Sequence, residues 1–218
     1  MRPSHILWDF NGTILDDVMP CIKSINELLI KYGKKPLSGV AEYQKVFGFP
    51  IKDYYARIGF DFNEVSFEVL AIEWVELYNK YNDPIKACPH AEEALKYVKS
   101  AGIPQLILTA SKTEMVYEQL DMMGLRGYFD GVIGLDNIHA AGKTDIALEW
   151  AKCANPARPV LIGDTEHDAQ TADAIGAECL LVSCGHMPAE KLLPLKPVFD
   201  DPLAAVRSLF TPEGQFTP

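Results

Sequence analysis

A set of short apolar runs, each stopping at a polar or small residue, constrains this chain more than any other feature. Ile6-Leu7-Trp8 ends in Asp9, Leu106-Ile107-Leu108 ends in Thr109, and Val160-Leu161-Ile162 leads into Gly163-Asp164. Val132-Ile133 and Leu180-Leu181-Val182 extend the series. Unbroken runs of this length suit strands covered on both faces, the condition inside a parallel sheet. Helical patterns lie between them and stop at glycine: 91–101 before Gly102, 113–123 before Gly124, and 168–175 before Gly176. A glycine just past a helix enters the left-handed conformation without a Cβ clash. The alternation predicts an α/β fold, a doubly wound, Rossmann-like parallel sheet joined by right-handed crossovers.

Residues 18–83 break the alternation. Ile22, Ile25, Leu28 and Leu29 form one apolar stripe at helical spacing, and 67–81 holds another. An all-helical cap inserted after the first strand is therefore expected. The α/β core domain then takes residues 1–17 and 84–218, and the cap domain 18–83. The tail 211–218 carries turn formers and little to bury, so fraying is expected there.

Composition narrows the partners. A formal charge of −10 disfavours nucleic acid and anionic membrane surfaces, because both demand clustered Lys and Arg. The five cysteines are odd in number, form no Cys-x-x-Cys pair and lack zinc spacing, so idle thiols in a reducing compartment are expected. No apolar run is long enough to cross a bilayer, and Asp9 interrupts the N-terminal run too early for a signal peptide. A cytoplasmic protein is expected, as a monomer or homodimer.

In open parallel sheets, ligands bind beyond the carboxyl ends of the strands. Asp9, Thr109 and Asp164 occupy such ends, so distant segments converge on one crevice. In Asp9-Phe10-Asn11-Gly12-Thr13 the carboxylate is a candidate nucleophile, and Gly12 permits a sharp turn beside it. Asp164 and Asp168, in Gly163-Asp164-Thr165-Glu166-His167-Asp168, would repel Asp9 without a cation among them. Hard oxygen ligands suit Mg²⁺. Thr165-x-x-Asp168 also reads as a helix capping box, and His167 as a surface loop residue rather than a ligand. Thr109-Ala110 offers a hydroxyl and backbone N–H groups to an anion. Ser111-Lys112-Thr113-Glu114 reads as a second capping box, which gives Ser111 a mainly structural role. Lys143, ahead of another helix, is placed to neutralise a phosphate.

In this order, Asp9-Phe10-Asn11-Gly12-Thr13, Thr109, Lys143 and Gly163-Asp164-x-x-x-Asp168 resemble the four motifs of the haloacid dehalogenase superfamily. The chain resembles its phosphoglycolate phosphatase-like branch with a helical cap. The resemblance implies a Mg²⁺-dependent phosphatase acting on a small phosphorylated metabolite through an aspartyl-phosphate. Asp9 would be the nucleophile, and Thr109, Ala110 and Lys143 would bind phosphate. Asp9, the backbone carbonyl of Asn11, Asp164 and Asp168 would hold or support the metal.

The chain departs from the family pattern at Asn11, where a second aspartate usually handles protons. An amide donates hydrogen bonds but exchanges no proton near neutral pH. Three explanations compete: a slower phosphatase suited to acyl or aryl phosphates, deamidation of Asn11-Gly12, or a substitution introduced to trap an intermediate. The departure also resembles phosphonoacetaldehyde hydrolase, with Lys52 in Gly48-Phe49-Pro50-Ile51-Lys52 as the candidate Schiff-base lysine. Lys45, Lys52 and Arg57 otherwise read as a solvated face or as contacts for a substrate's anionic end. A metal-free dehalogenase and a phosphomutase fit less well. A weakly active phosphate-binding regulatory or interaction protein is a further alternative.

Overall fold

Strand residues alternate across the sheet with period two: Ile6 and Trp8 join one apolar cluster and Leu7 the other. The computed structural model describes residues 2–135 and 142–210. Its elements run β1 (His5–Trp8), α1 (Val18–Lys31), α2 (Val40–Val46), α3 (Ile51–Arg57), α4 (Phe67–Tyr81), α5 (Ala91–Ser100), β2 (Gln105–Leu108) and α6 (Thr113–Met123). Then follow β3 (Gly131–Ile133), α7 (Lys143–Ala154), β4 (Pro159–Gly163), α8 (Glu166–Ile175), β5 (Glu178–Val182), α9 (Ala189–Leu192), β6 (Val198–Phe199) and α10 (Pro202–Ser208).

The strands form one parallel sheet in the order β3-β2-β1-β4-β5-β6. This is the doubly wound α/β arrangement expected from the sequence. The order reverses direction at β1, whose neighbours are β2 on one side and β4 on the other. Trp8 pairs with Ile107 and with Ile162, so the three chains leave the sheet side by side at its carboxyl edge. Val160, Ile162, Leu180 and Val182 join Ile6 and Trp8 on one face, while Leu161 and Leu181 join Leu7 on the other. Burying each such side chain contributes about 1.5–3 kcal/mol, which pins the register and hence the strand ends. Helices end as anticipated at Gly124 and Gly176, both left-handed. The helix at 91–101 closes one residue earlier, on Ala101, with Gly102 just beyond.

Helices α1–α4 have an apolar cluster of their own, separate from the two that cover the sheet. Ile22, Ile25, Leu28 and Leu29 of α1 are all buried in it. From α4 only Leu70 and Tyr78 are fully buried, with Phe67, Trp74 and Leu77 partly so. Among the described residues no helix is long and apolar enough to cross a membrane. The expected fraying of 211–218 falls outside those residues.

Candidate active site

Asp9 follows β1 and Asp164 follows β4, so adjacent strands deliver two carboxylates to one edge. Thr109 leaves β2 on the other side of β1, Lys143 opens α7, and Asp168 lies in the first turn of α8. Carboxylate oxygens of Asp9, Asp164 and Asp168 all lie within 4.8 Å of one another, and the three residues are buried. The Lys143 ammonium donates to Asp9 Oδ1 and to Asp168 Oδ1. Burial pushes the Asp9 carboxyl up to about 6, against the pull of Lys143. Burial also drives Asp164 well above the ordinary carboxylate range, and the charges of Asp9 and Asp168 add to it. For Asp168 burial acts the same way, but Lys143 and Thr165 outweigh it and hold the carboxyl low. Burial would lower Lys143, yet Asp168 and Asp9 keep it firmly protonated. Three buried acids share one lysine, an excess of negative charge that a cation would relieve.

The local chain supports this packing. Gly12 has φ +78°, and a Cβ there would collide with the Asp164 carboxylate and the His186 ring. Asp164 accepts from Thr13 Oγ1 at 3.4 Å and from the His186 backbone N–H at 2.6 Å. The capping box is present: Asp168 Oδ2 accepts from the Thr165 N–H at 3.0 Å and from its hydroxyl at 2.7 Å. Both Asp168 oxygens are thus engaged. Thr109 Oγ1 accepts from the Ser111 N–H at 3.1 Å and keeps its own proton to donate.

The sequence reading missed a second buried network beside this one. Asn11 Nδ2 donates to Asp17 Oδ2 at 2.8 Å, and the Tyr78 hydroxyl donates to the same oxygen at 2.9 Å. The His186 ring bonds Asp17 Oδ1 through Nε2 at 3.1 Å and the Tyr43 hydroxyl through Nδ1 at 2.9 Å. Burial would lower the His186 pKa, but the Asp17 carboxylate raises it to about 9. Burial would raise Asp17, and His186 holds it below the usual range instead. The strand-end rule applied to β5 selects Ser183, whereas His186 lies four residues beyond Val182, so that rule could not have found it.

Several expectations change. Ser111 caps nothing; Lys112 is the N-cap of α6 and makes no side-chain cap bond. The Ser111 hydroxyl donates instead to Asn11 Oδ1 at 3.2 Å. His167 lies in helix α8 rather than a loop, packed on Phe49 with ring centroids 5.0 Å apart. Lys52 sits over the Phe62 ring, 5.1 Å from its centroid, and Arg57 Nε donates to the Val46 carbonyl at 3.0 Å. Cys153 is exposed and Cys21 lies beside Asp17, with Sγ 3.7 Å from Oδ2.

A cavity of about 450 Å³ opens above Asp9. Its floor includes Asn11, Thr109, Ala110, Lys143 and Asp164, and its far wall comes from α2–α4. Neither Lys45, Lys52 nor Arg57 lines it.

A family model described as haloacid dehalogenase-like hydrolase matches residues 6–182. A phosphoglycolate phosphatase of Pseudomonas fluorescens is 26% identical over 226 aligned positions, covering 99% of this chain and 83% of that protein. A phosphoglycolate phosphatase of Psychrobacter arcticus is 27% identical, covering 92% of this chain and 93% of its own. In shape, a haloacid dehalogenase-like hydrolase from Streptococcus pneumoniae superposes with a TM-score of 0.73 at 20% identity, over 92% of this chain and 95% of its own.

Proposed function

The chain belongs to the haloacid dehalogenase-like hydrolase family, and on that premise we propose that it is a Mg²⁺-dependent phosphatase of small phosphorylated metabolites. The observation that carries this is the meeting of Asp9, Lys143, Asp164 and Asp168 in one buried cluster under a cavity. The relatives named phosphoglycolate phosphatase support the same reaction class. Residues 1–17 and 84–218 are the core domain in this reading, and 18–83 the cap over its mouth.

The acidic cluster fits a hard divalent cation, since its donors are carboxylate oxygens and their charge exceeds that of Lys143. Asp9, Asp164 and the Asn11 backbone carbonyl would hold Mg²⁺. Asp168, with both oxygens engaged, supports the site by fixing Lys143. When bound, the ion supplies positive charge that lets a carboxylate meet a phosphate dianion.

The residues of the chain do the rest. Lys143, Thr109 and the Ala110 N–H hold the phosphoryl oxygens so that phosphorus faces the Asp9 carboxylate. A carboxylate oxygen of Asp9 attacks phosphorus, the bond to the leaving oxygen breaks, and that oxygen takes its proton from water. Water then attacks the aspartyl-phosphate, releasing phosphate and restoring the carboxylate. Asn11 holds Asp17 and Ser111 through its amide but carries no proton for either step.

A panel of phosphate esters and acetyl phosphate, with Mg²⁺ and with chelator, tests the reading. Turnover that vanishes with chelator and in Asp9→Ala is expected; turnover that survives either one overturns it.

A further inference from the structure

We propose that the cavity above Asp9 seats the leaving group of the substrate, and that this group is an uncharged aromatic alcohol. The proposal rests on the phosphatase reading and adds the substrate class to it.

Two observations carry the proposal. The first is the division of the cavity by polarity. Charge is confined to its floor and the adjoining Asp17–His186 pair, whereas α2–α4 supply Phe47, Tyr54, Tyr55, Phe67, Trp74 and Tyr78. Trp74 and Tyr78 stack with centroids 5.0 Å apart and interplanar angle 22°, which makes a rigid wall of rings. Each cation lining the cavity has a task already. Lys143 is held by Asp9 and Asp168 and His186 by Asp17, while His167, packed on Phe49, has its pKa lowered by burial and brings no charge. A carboxylate on the leaving-group side, as glycolate would bring, loses water there and meets aromatic faces with no counter-charge. An aromatic ring meets edges and faces that suit it. A pocket of about 450 Å³ is roomy enough for a bicyclic ring.

The second observation is the chemistry of Asn11. Its amide is tied on both ends, Nδ2 to Asp17 and Oδ1 to Ser111, and cannot protonate a departing alkoxide. An aryl oxide departs without that help, because the ring spreads its charge. Lining and chemistry, independently, select the same class.

Aryl phosphates that set charge against reactivity provide the test. With Mg²⁺ present, 2-naphthyl phosphate is expected to exceed phenyl phosphate at least tenfold in kcat/KM. 4-Carboxyphenyl phosphate, though it has the better leaving group, is expected to fall at least tenfold below phenyl phosphate, and 2-phosphoglycolate lower still. By calorimetry the inert 2-naphthylmethylphosphonate should bind at least tenfold tighter than phosphonoacetate. Trp74→Ala should cut the naphthyl-to-phenyl preference at least fivefold. Val75→Arg, on the half-exposed rim of α4, should raise 4-carboxyphenyl turnover at least fivefold. Preference for 2-phosphoglycolate or the carboxylated aryl ester, or unaltered preferences in both variants, overturns the proposal and leaves the phosphatase reading intact. Failure to hydrolyse any ester or acetyl phosphate through Asp9 removes both.

Discussion

Asn11 and Asp17 are locked together, amide Nδ2 to carboxylate Oδ2 at 2.8 Å, under the hydroxyl of Tyr78. Asn11→Asp would turn that contact into two carboxylates competing for one proton. Two opposite effects are expected. Thermal unfolding should show a loss of about 1–3 kcal/mol, the cost of leaving a buried polar partner unmatched. A proton shared by the pair would at the same time be available to a departing alkoxide. Turnover of alkyl phosphates should therefore rise by at least about 10-fold, the lower end of what general acid catalysis supplies being about 100-fold. Slower alkyl turnover in Asn11→Asp would show that position 11 needs its amide for something other than its neighbour's charge.

Lys143 is the one cation that touches both Asp9 and Asp168 among the described residues. Lys143→Ala leaves three buried carboxylates without it, and breaking such a pair typically costs about 3–5 kcal/mol. The loss should be largest in chelator, and saturating Mg²⁺ should restore part of it, because a divalent cation offsets the same charge. Differential scanning calorimetry of both proteins with and without Mg²⁺ measures this. An identical loss in the two conditions would mean that the lysine and the ion do not share these carboxylates.

The core of the site was legible because each of its residues sits where a buried strand stops. Apolar runs mark strand ends directly, and parallel order brings the ends of β1, β2 and β4 together whatever lies between. Asp9, Thr109 and Asp164 follow from that rule alone. Asp168 was placed by its capping box and Lys143 by the helix that follows it, which gave the place of each but not the contact between them. The aromatic wall was not legible. Its residues read as ordinary core at helical spacing, and only the packing of α2–α4 decides which rings turn toward Asp9. Ser111 was misread for a related reason: a capping pattern states that a hydroxyl could bond the helix, while Asn11 offered it a better-placed acceptor.

The Asp17–His186 pair gives stability a pH dependence with a definite sign. The folded pKa of His186 stands at about 9 against an unfolded value of 6.5, so folding binds a proton more tightly. Its contribution is complete below 6.5 and drains away as pH rises through about 9; full loss is worth about 3 kcal/mol. Asp17, depressed in the fold, acts at the other end, and its share is lost as pH falls below the ordinary carboxylate range. Urea unfolding in chelator should show a falling slope between pH 6.5 and 9 that His186→Gln flattens. An unchanged slope in that variant would assign the dependence elsewhere.

Lys191 bridges α9 to the end of α2, where its ammonium donates to the carbonyls of Gln44, Lys45 and Phe47 at 2.9, 2.8 and 3.0 Å. Those carbonyls close a helix and have few partners of their own, so a cation there is favoured by bonding and by the helix dipole. The bridge also fixes Phe47, a ring of the cavity wall that lies against Tyr43, Tyr54 and His186. Lys191→Met should cost about 0.5–1.5 kcal/mol of stability, the net scale of a typical intramolecular hydrogen bond. Because Lys191 touches no floor residue, the effect on catalysis should appear in KM for ring-bearing esters, with kcat within about twofold. Lys191→Arg should recover most of the affinity by meeting the same carbonyls. A fall in kcat with KM unmoved would instead tie the bridge to the placement of Asp9 and Asp164 through His186.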